Sequence, residues 1–219
     1  MMNALDHAIV AYWRQPDPRR LLDVFITQPL AEDWRAENVL TVPVFLSHLL
    51  DADPSLGAIL VDGVRGGDPV KVEIVAQALN YSHIPARTRL MEKLVGEAAA
   101  ASMDADGADF AALSPTHPVH VDMLWVSFFA TGLTSYLDRI TGLLDGWLPE
   151  NQLQDLLSRA ATQPDIQAQA LAGLLAKAAQ MTLTAHGQDC LPVRAALERR
   201  AAAMDGLGAA LAARIAAIL

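Results

Sequence analysis

The sequence predicts an all-α protein, and three observations support that fold class. The chain of 219 residues is 53% hydrophobic and 19% charged, which is enough apolar material for a sizeable core. Ala and Leu, the strongest helix formers, dominate over Val, Ile and Thr, and no stretch has a convincing strand pattern. Most of the 12 prolines precede apolar runs with helical periodicity. We therefore expect about ten to twelve short helices.

Asp-Pro pairs mark three helix starts in the first half of the chain. Asp17-Pro18, Asp53-Pro54 and Asp68-Pro69 each place a carboxylate before a proline. The carboxylate can cap a helix, and the proline suits its first position because the missing N–H costs nothing there. These pairs predict helices that begin at Pro18, Pro54 and Pro69.

The remaining prolines and the helical spacing of apolar residues predict helices along the rest of the chain. Short connections between most neighbouring helices favour antiparallel hairpins. The hairpin starts are unevenly spaced, which leaves two architectures open: an irregular bundle, or an α-hairpin array of the TPR or HEAT type. The predicted helices lie at about 3–14, 18–28, 43–52, 54–64, 69–80, 85–101, 118–131, 134–146, 150–161, 164–186, 192–204 and 206–218.

Residues 102–117 interrupt the helical periodicity with acidic, small and turn-forming residues. We expect a loop here that separates two halves of a single all-helical domain spanning residues 1–219. The sequence around it has no Gly/Ser-rich linker, which favours a continuous core.

Charge and cysteine content exclude several function classes. The 16 Lys and Arg against 25 Asp and Glu give a net charge of −9, too few cations for a general nucleic-acid or anionic-membrane surface. We predict neither a nucleic-acid nor a membrane partner, and no cofactor. The lone Cys190 has no disulfide partner, and the first residues lack a secretory signal pattern, so we expect a cytoplasmic protein.

The segment around His120 is the densest in groups that can carry chemistry. His117, His120 and Asp122 lie at the start of an almost wholly apolar helix. In one interpretation Asp122 caps this helix or forms an ion pair, and the helix is buried at the centre of the protein. In the other, the three side chains form a metal, ligand or acid/base site at the mouth of a pocket. They do not have the spacing of an H-E-x-x-H motif, and a closed metal site needs a fourth ligand.

The C-terminal region has one apolar face. Leu197, Met204, Leu211 and Ile218 recur every seven residues, and Leu207 and Ile215 fill the stripe. This face can pack onto the rest of the protein or form the seam of a homodimer.

Two stretches of sequence carry a resemblance to other proteins. Residues 122–132, followed by 136–140, resemble a segment of uncharacterised bacterial helical proteins. This resemblance implies a helical fold and a bacterial source, but no activity. The chain is also similar to tetratricopeptide-type helix pairs, without their Trp-Leu-Gly-Tyr spacing.

Two functions of different classes follow from these patterns. The first is a non-enzymatic helical scaffold that binds a protein or peptide in a groove between hairpins. The second is a metal- or small-ligand-binding protein, or an enzyme, with its site near His117, His120 and Asp122. We prefer the first because the sequence contains no strong catalytic motif.

Overall fold

The computed structural model describes residues 4–30, 36–103, 106–188, 190–203 and 206–219. All regular elements in these ranges are helical, and thirteen of them are α-helices, which confirms the predicted all-α fold class. In the same ranges no helix is long and apolar enough to cross a lipid bilayer.

The helices follow one another with short connections along most of the chain. Short 3₁₀ segments extend α1 and α9 and precede α11, at Tyr12–Arg14, Leu143–Gly146 and Pro164–Ile166. The α-helices are α1 Ala4–Ala11, α2 Pro18–Thr27, α3 Ala36–Ala52, α4 Leu56–Val64, α5 Pro69–Tyr81, α6 Arg87–Val95, α7 Glu97–Ala100, α8 Pro118–Thr131, α9 Thr134–Gly142, α10 Glu150–Ala160, α11 Gln167–His186, α12 Leu191–Ala203 and α13 Leu207–Ile218.

Two of the three Asp-Pro pairs begin helices as predicted. Asp17 Oδ1 accepts a hydrogen bond of 3.0 Å from the backbone N–H of Arg20. Asp68 Oδ1 accepts one of 2.9 Å from the backbone N–H of Val70. Each carboxylate thereby satisfies a backbone donor that has no partner inside its helix.

The third pair lies in the turn before its helix, so the predicted start at Pro54 is wrong. Asp53 Oδ1 accepts hydrogen bonds from the backbone N–H of Ser55, at 3.0 Å, and from its hydroxyl, at 2.6 Å. These bonds form a tight turn and hold the pKa of Asp53 below its ordinary value. The helix α4 then begins at Leu56.

Two predicted helices differ from the observed ones. The helix expected at 43–52 begins instead at Ala36, and Pro43 lies inside α3. Pro43 removes one internal hydrogen bond, but burial of nearly every side chain from Thr41 to Leu50 favours the helix. The helix expected at 85–101 is divided into α6 and α7, because Gly96 between them has a φ of +98°.

The chain folds into two compact units, each with its own buried side chains. Unit 1 comprises Met1–Ala112 and Val126–Gly132. Within it α3 packs most extensively against α5, and α4 packs against α2, α5 and α6. Its fully buried side chains include Phe25, Phe45, Leu50, Ile74, Leu79 and Phe128.

Lys71 is a buried cation inside unit 1. Its ammonium donates hydrogen bonds to the carbonyl oxygens of Ile26 and Gln28, at 2.8 and 2.7 Å. These carbonyls lie at the C-terminal end of α2, where the helix dipole favours positive charge. Lys71 therefore joins α5 to the end of α2.

Unit 2 comprises Leu113–Trp125 and Leu133–Leu219. In this unit α12 packs against α13 and α9, and α11 packs against α10 and the 3₁₀ segment that follows α9. Arg199 pairs with Asp138 at 2.6 Å, and Arg200 pairs with Asp145. Its buried side chains include Leu124, Trp125, Leu137, Ile140, Leu183 and Val193.

The C-terminal apolar face is covered by the chain's own unit 2. Leu197, Leu211 and Ile215 are buried there, where α13 packs against α12. Leu207 is exposed, Met204 lies outside the described residues, and so does the side chain of Ile218. Packing onto the body therefore accounts for this face, and the homodimer stays a prediction.

Candidate functional site

Unit 2 carries an open groove of about 260 Å³ beside α10 and the first turn of α11. Small-molecule pockets have volumes of roughly 300–1,000 Å³ and enclose most of their ligand. This groove is smaller and open, so it suits one or two side chains of a longer ligand. Its lining residues are Leu148, Asn151, Gln152, Asp155, Leu156 and Gln169.

The spacing of these residues explains how they share one surface. Five of them recur at intervals of three or four from 148 to 156, which places them on one face of α10 and the residues just before it. Leu156 is buried and Leu148 is half-buried, so these two leucines supply the apolar part of the groove. Gln169 reaches the same surface from α11.

A glycine in α11 lies against two leucine side chains, one on α10 and one just before it. A Cβ atom on Gly173 would lie 2.7 Å from Cδ1 of Leu153 and 3.6 Å from Cδ1 of Leu148. The first distance is shorter than any ordinary carbon–carbon contact, so a side chain at position 173 would require the buried Leu153 side chain to change its position. Gly173 thus contributes to the shape of the groove.

Polar contacts also tie α10 to α11. Lys177 Nζ pairs with Glu150 Oε2 at 2.6 Å, and this hydrogen bond lowers the pKa of Glu150. Trp147 Nε1 donates a hydrogen bond of 2.9 Å to Gln180 Oε1. These contacts fix α11 to the first residue of α10 and to the residues before it.

The exposed amides along the groove are available to a ligand. The side chains of Asn151, Gln152 and Gln169 are exposed, and none of them makes a hydrogen bond to another described residue. A side-chain amide offers both a donor and an acceptor, which is the pattern that a peptide backbone presents. The groove therefore combines an apolar contact with three amides that can bind an extended chain.

Asp155 provides the charge of the groove. Among its six lining residues Asp155 is the acidic one, and its side chain is 67% exposed. Arg159 Nη1 lies 3.3 Å from Asp155 Oδ2, one helical turn away along α10.

The predicted residues His117 and His120 lie where α8 begins, and both rings contact backbone. His117 Nδ1 accepts a hydrogen bond of 3.2 Å from the N–H of Val119. His120 Nδ1 accepts one of 3.1 Å from the N–H of Thr116, and the two ring centroids are 6.4 Å apart. Both rings therefore help to form the turn at the start of α8.

These hydrogen bonds oppose metal binding through the other ring nitrogen. When Nδ1 accepts a hydrogen bond, the proton of a neutral imidazole lies on Nε2, whereas a ligating histidine donates its proton from the nitrogen that does not bind metal. Asp122 is the fifth residue of α8, beyond the first turn, and is half-buried. In the described ranges no three His, Cys, Asp or Glu side chains are arranged to hold a metal ion. A site at His117, His120 and Asp122 stays a prediction.

Unit 1 contains a polar cluster that sequence analysis missed. His48 Nε2 and Ser127 Oγ are 2.9 Å apart, and burial lowers the pKa of His48 from its ordinary 6.5 to about 4. One turn along α3, Asp51 accepts hydrogen bonds from the backbone N–H of His83, at 2.6 Å, and from its Nδ1, at 2.9 Å. His48 and Ser127 are 79 positions apart, so no motif in the sequence indicates this pair.

Phe110 packs against this cluster. The centroid of its ring lies 5.7 Å from that of His48 and 5.4 Å from that of Tyr81. Ser127 has no exposed surface, which leaves its hydroxyl out of reach of a substrate. We therefore interpret the bond between His48 and Ser127 as a hydrogen bond of the core, which satisfies two polar groups in an apolar surrounding.

Comparison of the chain with protein families, with curated proteins and with solved structures gives no match.

Proposed function

We propose that this chain is a helical peptide-binding module and that the groove of unit 2 is its recognition surface. The observation that carries the proposal is the set of three exposed amides, Asn151, Gln152 and Gln169, beside the apolar side chains of Leu148 and Leu156. In peptide recognition, hydrogen bonds to the main chain supply affinity and a pocket for a side chain supplies specificity. The groove offers both.

The size of the groove sets the expected affinity. Each new hydrogen bond contributes about 0.5–1.5 kcal/mol, and burial of one large apolar side chain contributes about 1.5–3 kcal/mol. Because association also costs several kcal/mol in lost motion, these contacts support weak binding, with a dissociation constant no lower than about 0.1 mM. The single Cys190, which is buried and forms no disulfide in the described chain, supports a reducing cytoplasm as the compartment in which the module works.

Selection from a library of displayed random peptides tests the proposal directly. The full chain is immobilised, enriched peptides are synthesised with a fluorophore, and their dissociation constants are measured by fluorescence polarisation. We expect enriched sequences with a shared apolar position. The triple variant Asn151→Ala, Gln152→Ala, Gln169→Ala should weaken binding at least about tenfold, because it removes about three hydrogen bonds.

Gln154→Ala is the matched control. Gln154 is also an exposed amide on α10, but it does not line the groove, and its side chain donates to Glu150. This variant should bind the peptides as the unmodified chain does. All four positions are exposed, so circular dichroism should show the same helix content in each protein. A library without enriched sequences would contradict the proposal, as would a triple variant with unchanged affinity.

A further inference from the structure

We propose that the ligand of the groove is a basic peptide, in which an Arg or Lys next to an apolar residue pairs with Asp155. This inference rests on the proposed function and names the chemistry of the partner. It follows from the charge of the groove, from the weakness of the contact that Asp155 makes within the chain, and from the charge of the whole protein.

The charge of the groove has one sign. Asp155 is its one acidic lining residue, and it lines the same groove as Leu156, which supplies part of the apolar surface. A ligand that places an apolar side chain against Leu156 therefore brings its neighbouring residue close to the Asp155 carboxylate. A cation in that neighbouring position is complementary, and a carboxylate there is repelled.

The contact between Asp155 and Arg159 does not prevent this pairing. The two side chains are 67% and 51% exposed, their shortest distance is 3.3 Å, and they lie one turn apart on the same helix. Exposed pairs of this kind contribute little to stability, because solvent screens them and both side chains lose freedom. A ligand cation can displace Arg159 or share the carboxylate with it.

The net charge of −9 also favours a cationic ligand, at longer range than the Asp155 carboxylate does. A protein with this excess of carboxylates attracts cationic peptides and repels anionic ones before contact, and the attraction falls as salt screens it. Both the local and the long-range electrostatics favour a basic ligand.

The test compares matched peptides on the full chain. Selected peptides should contain Arg or Lys next to the shared apolar position. Replacing that residue with citrulline, which keeps the shape of arginine but removes its charge, should raise the dissociation constant about twofold to fivefold, the range for one exposed ion pair. Asp155→Asn should weaken binding of the basic peptide equally and should remove the difference between the two peptides.

Two further variants separate the local pair from general electrostatics. Glu198→Gln removes a carboxylate from a similar exposed pair with Arg194, at 3.8 Å on α12, outside the groove. It should leave the preference for the basic peptide unchanged. Arg159→Gln removes the competing cation, so it should strengthen binding of the basic peptide about twofold or more.

The outcomes distinguish this inference from the proposed function. If no peptide binds, the proposed function fails and this inference fails with it. If peptides bind through the amides but citrulline and arginine peptides bind equally, or Asp155→Asn has no effect, the groove is a peptide site and only the basic character of its ligand is wrong.

Discussion

At the scale of single residues, burial lowers the pKa of two histidines. His48 is enclosed beside Ser127 and Phe110, and its pKa falls to about 4. Burial also lowers the pKa of His186, whose ring centroid lies 5.0 Å from that of Trp125 in unit 2. Both side chains resist protonation because a charged imidazole loses more hydration in these surroundings than it regains.

The low pKa of His48 predicts a loss of stability in mild acid. The unfolded chain binds a proton at this residue below about pH 6.5, whereas the folded protein does so only near pH 4. The stability that neutral His48 contributes is therefore fully present above about pH 6.5, the pKa in the unfolded chain. It falls as the pH decreases toward about 4, the pKa in the folded protein. We expect His48 to account for a loss of about 2 kcal/mol at pH 5 and about 3 kcal/mol at pH 4, measured by urea unfolding.

His48→Gln separates this effect from the titration of other groups. Asp51 and His83 also act on His48, the first raising and the second lowering its pKa, and both remain in the variant. Glutamine can still donate a hydrogen bond to Ser127, but it does not titrate. The variant should lose less stability than the unmodified chain between pH 7 and pH 4. Parallel pH profiles would show that His48 does not contribute.

Some residue roles can be predicted from the sequence and others cannot. Asp17 and Asp68 cap their helices as predicted, because each contacts a backbone N–H only two or three positions away. The hydrogen bonds of His117 and His120 are equally local, but sequence patterns do not indicate which ring nitrogen accepts them. The pair of His48 and Ser127 depends on the packing of α3 and α8, which periodicity does not specify.

At the scale of elements, local signals indicate most helix ends, and the exceptions have physical causes. Pro43 resembles a helix start, but the burial of α3 continues the helix through it. Gly96 lies in a run of helix formers, but its positive φ separates α6 from α7. Propensity is a small energy per residue, so packing or one backbone conformation overrides it.

The loop between α7 and α8 depends on a glycine that packs against the end of α5. Gly107 has a φ of +73°, and a Cβ there would lie 2.8 and 2.9 Å from the carbonyl oxygens of Ser82 and Tyr81. The next residue, Ala108, donates its N–H to Tyr81 at 2.9 Å. Gly107→Ala should lower the free energy of unfolding by about 3 kcal/mol, from backbone strain and the clash together.

Gly66→Ala is the control for the backbone contribution. Gly66 has nearly the same φ, +76°, but a Cβ there has no neighbour within 4 Å. This variant should lose only about 1 kcal/mol, the cost of the left-handed conformation for alanine. Chemical unfolding of both variants measures the difference. Equal losses of unfolding free energy in the two variants would show that the chain at residue 107 can move away from the end of α5 without an energetic cost.

At the scale of the whole molecule, the C-terminal helices provide a test of self-association. The apolar face expected to form either a packing surface or a homodimer seam contains Leu197, Leu211 and Ile215, which are buried within unit 2. A seam through these residues requires α12 and α13 to separate. We expect sedimentation equilibrium to give the mass of one chain at micromolar concentration. A mass near two chains would support the homodimer.

The sequence by itself determined the helical class, most helix positions and the caps at Asp17 and Asp68. These features depend on propensity, periodicity and contacts within a few residues, all of which are readable along the chain. Only the tertiary structure decided the candidate site. Gln169 lines the same groove as Asn151 and Gln152 because α11 packs against α10, and the groove exists only once these helices pack.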